Sequence, residues 1–332
     1  FPNINSSCVK ERRSSHGYII YLFVSLLSAW TVFLNLLVII SISHFKKLHT
    51  PTNMIILSLA VNDLLIGLTM PIEAFRLVDT CWYFGELFCG LFLIVMALLS
   101  SASLSNLVLI AVDRYVAVCH SLLYPQKITM TNVFVSICLC WSFSLTYCTV
   151  FVVNNTYLDT SSRKRVCYGE CILHFSFTYV IIDEIYSFLL PCVVMITVYL
   201  RIFCVAIKQV KVINSLMKGG KCVKEVKVIN SLMKGDKCVT EGSVKKKSEI
   251  KAALTLGVMV SVYLLCYIPY YICSLTVTSS TTLNVLIWTL HANSGLNPLV
   301  YALFYRWFKK TAKLILNLKI FLPASSLINI FS

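Results

Sequence analysis

The sequence carries little charge for its length. Only 13% of its 332 residues are Asp, Glu, Lys or Arg, whereas 58% are hydrophobic. Soluble globular domains have about 25% charged residues, so this composition excludes an ordinary soluble domain. The chain also lacks a nucleophile–base pair or a metal-ligand set, and its six His residues are scattered. We therefore expect neither an enzyme nor a metalloprotein.

Repeats and broken spans are also missing from the apolar segments. Transporters are commonly built from repeated groups of helices, with spans interrupted by Gly or Pro at matched positions. Here the one internal repeat lies in a polar loop, and no apolar segment resembles another. A transporter or channel is therefore the less favoured class of membrane protein.

Seven long apolar runs are what the sequence does contain. A helix needs about 20 mostly apolar residues to cross roughly 30 Å of hydrocarbon. The runs lie near 18–43, 53–78, 86–118, 130–153, 174–207, 250–275 and 282–304. They predict an all-α fold, a seven-transmembrane helix bundle over 18–304, with a short amphipathic helix after the seventh span. We expect all 332 residues to form one domain.

Basic residues cluster on one side of this predicted bundle. The formal net charge is +15, and between Arg201 and Lys251 thirteen Lys and Arg stand against four acids. By the positive-inside rule, the loop 208–249 and the tail 305–332 are predicted to be cytoplasmic and residues 1–17 extracellular.

The N-glycosylation sequons agree with this orientation. They begin at Asn5 and Asn154, and both fall on the predicted outer side. The basic loop on the other side is best interpreted as a solvated face beside the lipid bilayer. We therefore expect no nucleic-acid partner.

The basic loop contains a tandem duplication. Residues 210–225 read VKVINSLMKGGKCVKE, and 226–241 read VKVINSLMKGDKCVTE. Two copies are too few to build a solenoid, which needs at least three. We interpret the repeat as a recent insertion without a function of its own. A calmodulin-type target segment is the alternative, because its apolar residues alternate with Lys.

Ionisable side chains inside membrane helices are functional candidates, because placing each one there costs about 2.5–3.5 kcal/mol. The deep ones in this sequence are Asp63, Asp113, Arg114, Asp183 and Glu184.

Asp63 belongs to a set of polar residues predicted at the centre of the bundle. The others are Asn35 in the first run and Asn293 and Asn297 in the seventh. Four such groups could hold a hydrated sodium ion, the one cofactor that the sequence suggests, or a water network. The alternative is that they join the helices by polar contacts.

Arg114 lies at the predicted cytoplasmic end of the third run and needs a carboxylate partner. Asp113 is adjacent to it, and Glu249 begins the sixth helix on the same side. An Arg114–Glu249 pair would hold helices three and six closed, and its breakage would open a cleft between them. Two tyrosines are placed to fill that space, Tyr199 and Tyr301.

These motifs resemble the rhodopsin-class G-protein-coupled receptors over essentially the whole chain. The shared features are Asp113-Arg114-Tyr115, the LAVND stretch (59–63), Trp141, Pro191, CYIPYY (266–271) and Asn297-Pro298-Leu299-Val300-Tyr301. Narrower motifs resemble the trace amine-associated receptors, and these are FPNINSSC at the start, CWYFGELFC (81–89), DRYVAVCHSLLYP (113–125), KAALTLG (251–257) and NSGLNPLVYALFYRWFKKT (293–311).

The resemblance implies a receptor for small volatile or biogenic amines in the plasma membrane. It further implies a place in olfactory neurons, with their cilia as the expected location. Its partner would be a stimulatory heterotrimeric G protein, so that ligand binding raises cAMP.

Several positions depart from the pattern of the class. Tyr267 stands in place of the usual Trp and Tyr263 in place of Phe. His291 replaces Tyr, Ser121 replaces Pro and Leu254 replaces Lys. These departures keep an alternative open, namely an orphan or non-signalling receptor remnant of the same fold. An aminergic neurotransmitter receptor is less favoured.

The resemblance also implies two disulfides on the outer side. Cys89 would pair with Cys171, and Cys8 with Cys167, which would tie the N-terminal segment over the pocket. Cys81 would remain a free thiol. Most of the 15 Cys lie inside apolar runs, where Cys behaves as a small hydrophobic residue.

The third span lacks the usual anchor for an amine. Most amine receptors have an Asp eighteen residues before Arg114, and here that position is Met96. A protonated amine that leaves water needs an anion to replace its hydration. A carboxylate reappears in the fifth span as Asp183, eight residues before Pro191. This resembles a subset of the family, expanded in fish, that recognises amines from helix five.

Helical spacing predicts that Asp183, Tyr186 and Ser187 share one face of the fifth helix, with Glu184 about 100° around the axis. The alternative is that Asp183 pairs with a basic residue of the outer loop, such as Arg163.

Aromatic residues of the last two spans are predicted to complete the pocket. They could provide cation–π contacts to an amine, and the alternative is simple packing. The residues are Tyr267, Tyr270, Tyr271 and His291.

Overall fold

The computed structural model describes residues 15–79, 81–154, 169–171, 177–218, 236–276, 280–322, 325–328 and 330. Eight helices dominate these ranges. They are α1 (Ser15–His44), α2 (Pro51–Val78), α3 (Glu86–Cys119), α4 (Met130–Val153), α5 in three consecutive parts (Phe177–Asp183, a π-helical turn Glu184–Leu189, and Leu190–Lys218), α6 (Asp236–Leu275), α7 (Ser280–Phe304) and α8 (Arg306–Leu316).

The predicted seven-helix bundle is confirmed. In the described ranges α1 to α6 each contain a segment long and apolar enough to cross a membrane. α7 is long enough but less apolar, because it carries several polar residues that are buried in the bundle. They are His291, Asn293, Ser294 and Asn297. α7 packs against α1, α2 and α6, so its polar face is covered by protein and need not meet lipid.

Cap residues fix where two of the helices begin. The hydroxyl of Thr50 accepts a hydrogen bond from the backbone N–H of Asn53 at 3.3 Å, and Pro51 occupies the first position of α2. Thr129 caps α4 in the same way, through the N–H of Asn132 at 3.2 Å. The helix that carries Arg114 ends nearby, so we call this the inner end of the bundle.

α8 is the amphipathic helix expected after the seventh span. Trp307, Phe308 and Ile315 are buried, whereas Lys309 and Lys313 are exposed. Its apolar face joins the largest core cluster, which extends through the inner and central parts of the bundle. This helix therefore covers the inner end of the core between α1 and α7.

The last described residues fold back onto the inner end of α1. Ser325 is buried, with its hydroxyl 3.0 Å from Nε2 of His44 and donating to the carbonyl of Ile320 at 2.5 Å. Ile330 is only 2% exposed and belongs to the main core cluster. The tail thus forms part of the packed structure here.

Candidate ligand-binding site and signalling network

Asp183 opens onto a cavity of about 210 Å³ between α3, α4, α5 and α6. Its Oδ1 accepts a hydrogen bond from the phenol of Tyr147 at 2.9 Å. Ser187 also lines the cavity, and its hydroxyl donates to the backbone carbonyl of Asp183 at 2.6 Å. The remaining walls are largely apolar or aromatic and include Leu93, Ala97, Phe151, Tyr263 and Tyr271. A carboxylate therefore faces a partly enclosed, mostly apolar space.

Tyr147 was not among the residues predicted from the sequence. It belongs to an aromatic stripe along α4, in which its ring centroid lies 6.3 Å from that of Phe143 and 5.8 Å from that of Phe151. The spacing of four residues was visible in the sequence, but its partner Asp183 is 36 residues away. Only the folded bundle shows that this phenol orients the carboxylate.

The π-helical turn in α5 changes which residues share a face with Asp183. Ser187, four residues on, lines the cavity as predicted, but Tyr186 is 63% exposed and turned outward. A turn closed by i→i+5 hydrogen bonds is wider than an α-turn. A residue three positions after Asp183 therefore lies further from the helix face that carries Asp183. The residue four positions after it stays nearly in line with that face. The prediction that placed Tyr186 beside Asp183 was wrong for this reason.

Glu184 faces a different neighbour. Its side chain is buried and accepts a hydrogen bond from the hydroxyl of Ser274 on α6. It does not line the cavity described above. The two adjacent carboxylates thus point to different places, Asp183 towards the cavity and Glu184 towards α6.

The predicted aromatic residues of α6 form a stacked column. Ring centroids of Tyr263 and Tyr267 are 3.9 Å apart, and those of Tyr267 and Tyr271 are 6.5 Å apart. Tyr271 also stacks on Phe188 of α5 at 4.0 Å. Tyr270 meets Tyr271 edge-on. Of these four tyrosines, Tyr263 and Tyr271 line the cavity with Asp183.

Met96 and His291 do not line that cavity. Met96 packs against an apolar cluster around Trp82 and Cys171. His291 is buried, and its Nδ1 lies 2.7 Å from the carbonyl of Ile287, so Nδ1 carries the proton.

Glu73, which is buried, and Arg76, which is partly buried, form a charged pair on α2 that was missed from the sequence. The guanidinium donates to the carboxylate from Nε at 2.9 Å and from Nη2 at 2.6 Å. Its Nη1 donates to the carbonyl of Cys171 at 3.1 Å. A Glu and an Arg three residues apart in an apolar run were the available signal, because that spacing places them on one helix face.

Cys171 is disulfide-bonded to Cys89 at the start of α3, with 5.7 Å between their Cα atoms. This is the pairing implied by the resemblance, and we call this the outer end of the bundle. Cys81 is also disulfide-bonded, so the prediction of a free thiol there was wrong. Its partner lies outside the described residues, as do Cys8 and Cys167.

Of the predicted glycosylation sites, Asn5 lies outside the described residues. Asn154 is the C-cap residue of α4, and its backbone N–H donates to carbonyls of the preceding turn. It therefore stands at the outer end of that helix. Arg163, the alternative partner for Asp183, also lies outside the described residues.

At the inner end, Arg114 is held in a closed network. Its guanidinium donates to the carboxylate of Asp113, including from Nε at 2.8 Å, and from Nη2 to the hydroxyl of Thr52 at 2.6 Å. The phenol of Tyr124 donates to Asp113 at 3.0 Å. Burial and the Asp113 charge raise the pKa of Tyr124, so the phenol keeps the proton that it donates. The side chain of Glu249 lies outside the described residues.

Three more tyrosines were predicted at this end. Tyr115 packs against the α5 residues around Ile202. Tyr199 lies across Gly257, where a Cβ atom would come within 3.3 Å of its ring. The hydroxyls of Tyr199 and Tyr301 are buried without a hydrogen-bond partner among the described residues. They are therefore donors available for a different arrangement of the helices.

The central polar set surrounds Asp63. Its Oδ2 accepts from the amide of Asn297 at 2.8 Å, next to Pro298 in α7. Asn35 reaches the same region by donating to the carbonyl of Ser294 at 3.1 Å.

Two buried side chains of this set have atoms without a hydrogen-bond partner among the described residues. They are Asp63, through Oδ1, and Asn293, through both polar atoms of its amide. Such buried oxygen atoms suit a hydrated cation or ordered water.

Comparisons with known proteins agree with this architecture. The family described as 7 transmembrane receptor (rhodopsin family) matches residues 34–301. The chain is 39% identical to trace amine-associated receptor 13c of Danio rerio over 100% of this chain and 96% of that protein. It is 38% identical to trace amine-associated receptor 1 of Macaca mulatta over 99% and 96% of the two chains. Trace amine-associated receptor 9 of Mus musculus is 36% identical over 100% and 94%.

Proposed function

This chain belongs to the trace amine-associated receptors of the rhodopsin family, and from that membership we propose that it is a receptor for small amines. We further propose that it faces the cell exterior with its outer end, acts in olfactory neurons with their cilia as its location, and signals through a stimulatory heterotrimeric G protein that raises cAMP. As a member of the family it is a multi-pass protein of the plasma membrane.

The observation that carries the proposal is the Asp183 carboxylate in its cavity. Among the described residues its side chain contacts a neutral phenol and no basic group. A protonated amine that enters a largely apolar cavity loses its hydration and needs a fixed anion in exchange. Tyr147 holds the carboxylate in place, and Tyr271 contributes its phenol ring to the wall of the same cavity.

The tyrosine column supports a route from the ligand to the inner end. Tyr271 lines the cavity, and stacking continues through Tyr267 to Tyr263 along α6. We propose that an amine bound between α5 and α6 shifts this column and the inner half of α6 with it. Arg114 would then leave its closed network and become available to the G protein.

The central polar set supports a role for sodium. Asp63 supplies a charge, while Asn293 supplies an oxygen atom without a partner among the described residues. We propose that these residues hold a hydrated sodium ion, with Asn35 fixing the position of the adjacent α7 backbone.

The test is a cAMP assay in cells that express the receptor with a surface epitope tag. We would apply a panel of volatile alkylamines, arylamines and polyamines, and expect a concentration-dependent rise in cAMP for a subset that shares a protonated amine. Matched uncharged alcohols should be inactive. Silence towards every amine, at surface levels equal to those of a responsive relative, would support the alternative of a receptor remnant that no longer signals.

A further inference from the structure

The Glu73–Arg76 pair has unused hydrogen-bond donors, and they all belong to Arg76. Each carboxylate oxygen of Glu73 already accepts from the Arg76 guanidinium, at 2.9 and 2.6 Å. A guanidinium has five N–H donors, and the described contacts of Arg76 use three of them, two to Glu73 and one to the carbonyl of Cys171. The pair therefore has spare donors on Arg76.

Arg76 lies at the outer end of the bundle and is the more exposed member of the pair. Its side chain keeps 14% of its exposure, whereas that of Glu73 keeps 4%. The hydrogen bond to the carbonyl of Cys171 fixes the guanidinium next to the Cys89–Cys171 disulfide. A small molecule entering from that side would meet Arg76 before Glu73.

The pair lies next to the Asp183 cavity. Arg76 is hydrogen-bonded to the carbonyl of Cys171, and Leu93 packs against the apolar cluster that contains Cys171. Leu93 also lines the cavity that Asp183 faces. Tyr270 of α6 interacts electrostatically with both Arg76 and Asp183, which agrees with this proximity.

The charges of the pair decide what it can bind. A second ammonium group would have to displace Arg76 from Glu73 and leave a partly buried guanidinium unpaired, which is strongly unfavourable. A carboxylate would bring a second anion next to Glu73 in a buried place, where like charges repel. A neutral acceptor such as a hydroxyl or carbonyl avoids both difficulties and uses the free donors of Arg76.

We propose that Arg76 forms a second recognition subsite that binds a neutral hydroxyl or carbonyl group of the ligand. This inference rests on the proposed function, because the ammonium group of the same ligand is assigned to Asp183. The preferred ligands are then amines that carry a hydroxyl or carbonyl at the end remote from nitrogen.

The experiment compares three ligands in the cAMP assay that share a straight five-carbon chain: pentylamine, 5-amino-1-pentanol and pentane-1,5-diamine. We expect the EC50 of the amino alcohol to be about tenfold lower than that of pentylamine, as one hydrogen bond to a charged group would give. The diamine should gain no comparable advantage. Pentylamine serves as the internal control because it reaches Asp183 but has nothing to offer Arg76.

Variants of the pair separate recognition from stability. The double variant Glu73→Gln/Arg76→Gln removes both charges and leaves no buried ion unpaired. It should abolish the preference for the amino alcohol while the EC50 of pentylamine stays within about twofold. Arg76→Lys keeps the positive charge opposite Glu73 but loses the planar fork, and should reduce the preference partially. It also provides a result if the double variant does not reach the surface.

Each outcome bears on one of the two proposals. Equal potency of pentylamine and the amino alcohol in the unmodified receptor would overturn the subsite, as would an undiminished preference in both variants. A preference for the diamine that disappears in Glu73→Gln would assign the site to a second ammonium instead. If no amine activates the unmodified receptor at all, the proposed function fails, and the subsite fails with it.

Discussion

The two ends of the bundle treat buried charge in different ways. At the inner end Asp113 and Arg114 neutralise one another, and the neighbouring Thr52 and Tyr124 complete their hydrogen bonds. At the outer end Asp183 faces a cavity with a phenol as its described partner. A charge that is fully paired stabilises one arrangement of helices, whereas a charge left facing a cavity is ready for a partner from outside.

This difference agrees with the division of labour that the proposed function requires. The inner network must hold a resting state and release it, so its contacts are made within the protein. The outer site must be completed by a ligand, so one contact is left open. The Glu73–Arg76 pair is intermediate, because its charges are balanced while some donors are not used.

Removing the open charge should have the largest effect. Asp183→Asn keeps the shape of the side chain and an acceptor for Tyr147 but removes the anion. We expect the EC50 for amines to rise by about 10- to 150-fold, since a charge-assisted hydrogen bond contributes roughly 1.5–3 kcal/mol. Asp183→Ala should behave similarly. The measurement is the cAMP concentration–response curve at matched surface expression, and unchanged potency would show that the ammonium binds elsewhere.

Loosening the closed network should have a smaller effect of the opposite kind. Tyr124→Phe removes one hydrogen bond to Asp113, worth about 1 kcal/mol, and should raise ligand-independent cAMP by roughly fivefold. Glu249→Ala should also raise it if Glu249 pairs with Arg114 in the resting state. Basal cAMP equal to that of the unmodified receptor in Glu249→Ala would leave the network of Asp113, Thr52 and Tyr124 as the whole of the lock.

The adjacent carboxylate should matter less for the ligand. Glu184 accepts from Ser274 on α6 and does not line the cavity. Glu184→Gln keeps an acceptor for that hydroxyl, so we expect the EC50 for amines to change by less than about threefold, the effect of a weakened neutral hydrogen bond. Glu184→Gln and Asp183→Asn each remove one negative charge, and the two residues are neighbours in sequence. Their comparison therefore shows which position matters for the amine when the loss of charge is the same. Equal losses in both variants would mean that both carboxylates contact the amine.

The smallest effect is expected at the tandem duplication, whose second copy extends into the start of α6. Deletion of residues 226–241 removes the second copy of the repeat in the basic loop. Loop-closure entropy changes slowly with length, by about 0.6 kcal/mol for each doubling, so coupling should be unchanged. The readout is maximal cAMP at saturating amine. A receptor that reaches the surface but signals weakly would show that the copy has a function, such as binding calmodulin.

Apolar length was sufficient to predict most of the bundle. The fourth run was predicted at 130–153 and is Met130–Val153, and the first was predicted at 18–43 and is Ser15–His44. Hydrophobic runs report membrane spans directly because lipid excludes unpaired backbone groups. The π turn at Glu184 could not be predicted, because a regular helical period was assumed throughout the fifth run.

The candidate site was predictable only in part. Asp183 was visible because a carboxylate in an apolar run is costly. Its partner Tyr147 is on another helix, and the contact of Arg76 with Cys171 spans 95 residues. A local sequence pattern cannot show contacts between residues that are so far apart in the chain. Asn35 lies near the central set through Ser294 rather than through Asp63 itself, which again depends on how α1 and α7 pack.

The π turn affects how the ligand-binding part of α5 and its inner, helix-packing part can change independently. It inserts extra rotation between the outer part of the helix, where Asp183 faces the cavity, and the inner part, where Tyr199 lies across Gly257. In an unbroken α-helix the angle between those two side chains would be fixed by their separation alone. Here that angle also depends on the width of the π turn. Ligand specificity can therefore drift by small adjustments of this turn while the register of the inner half stays constant.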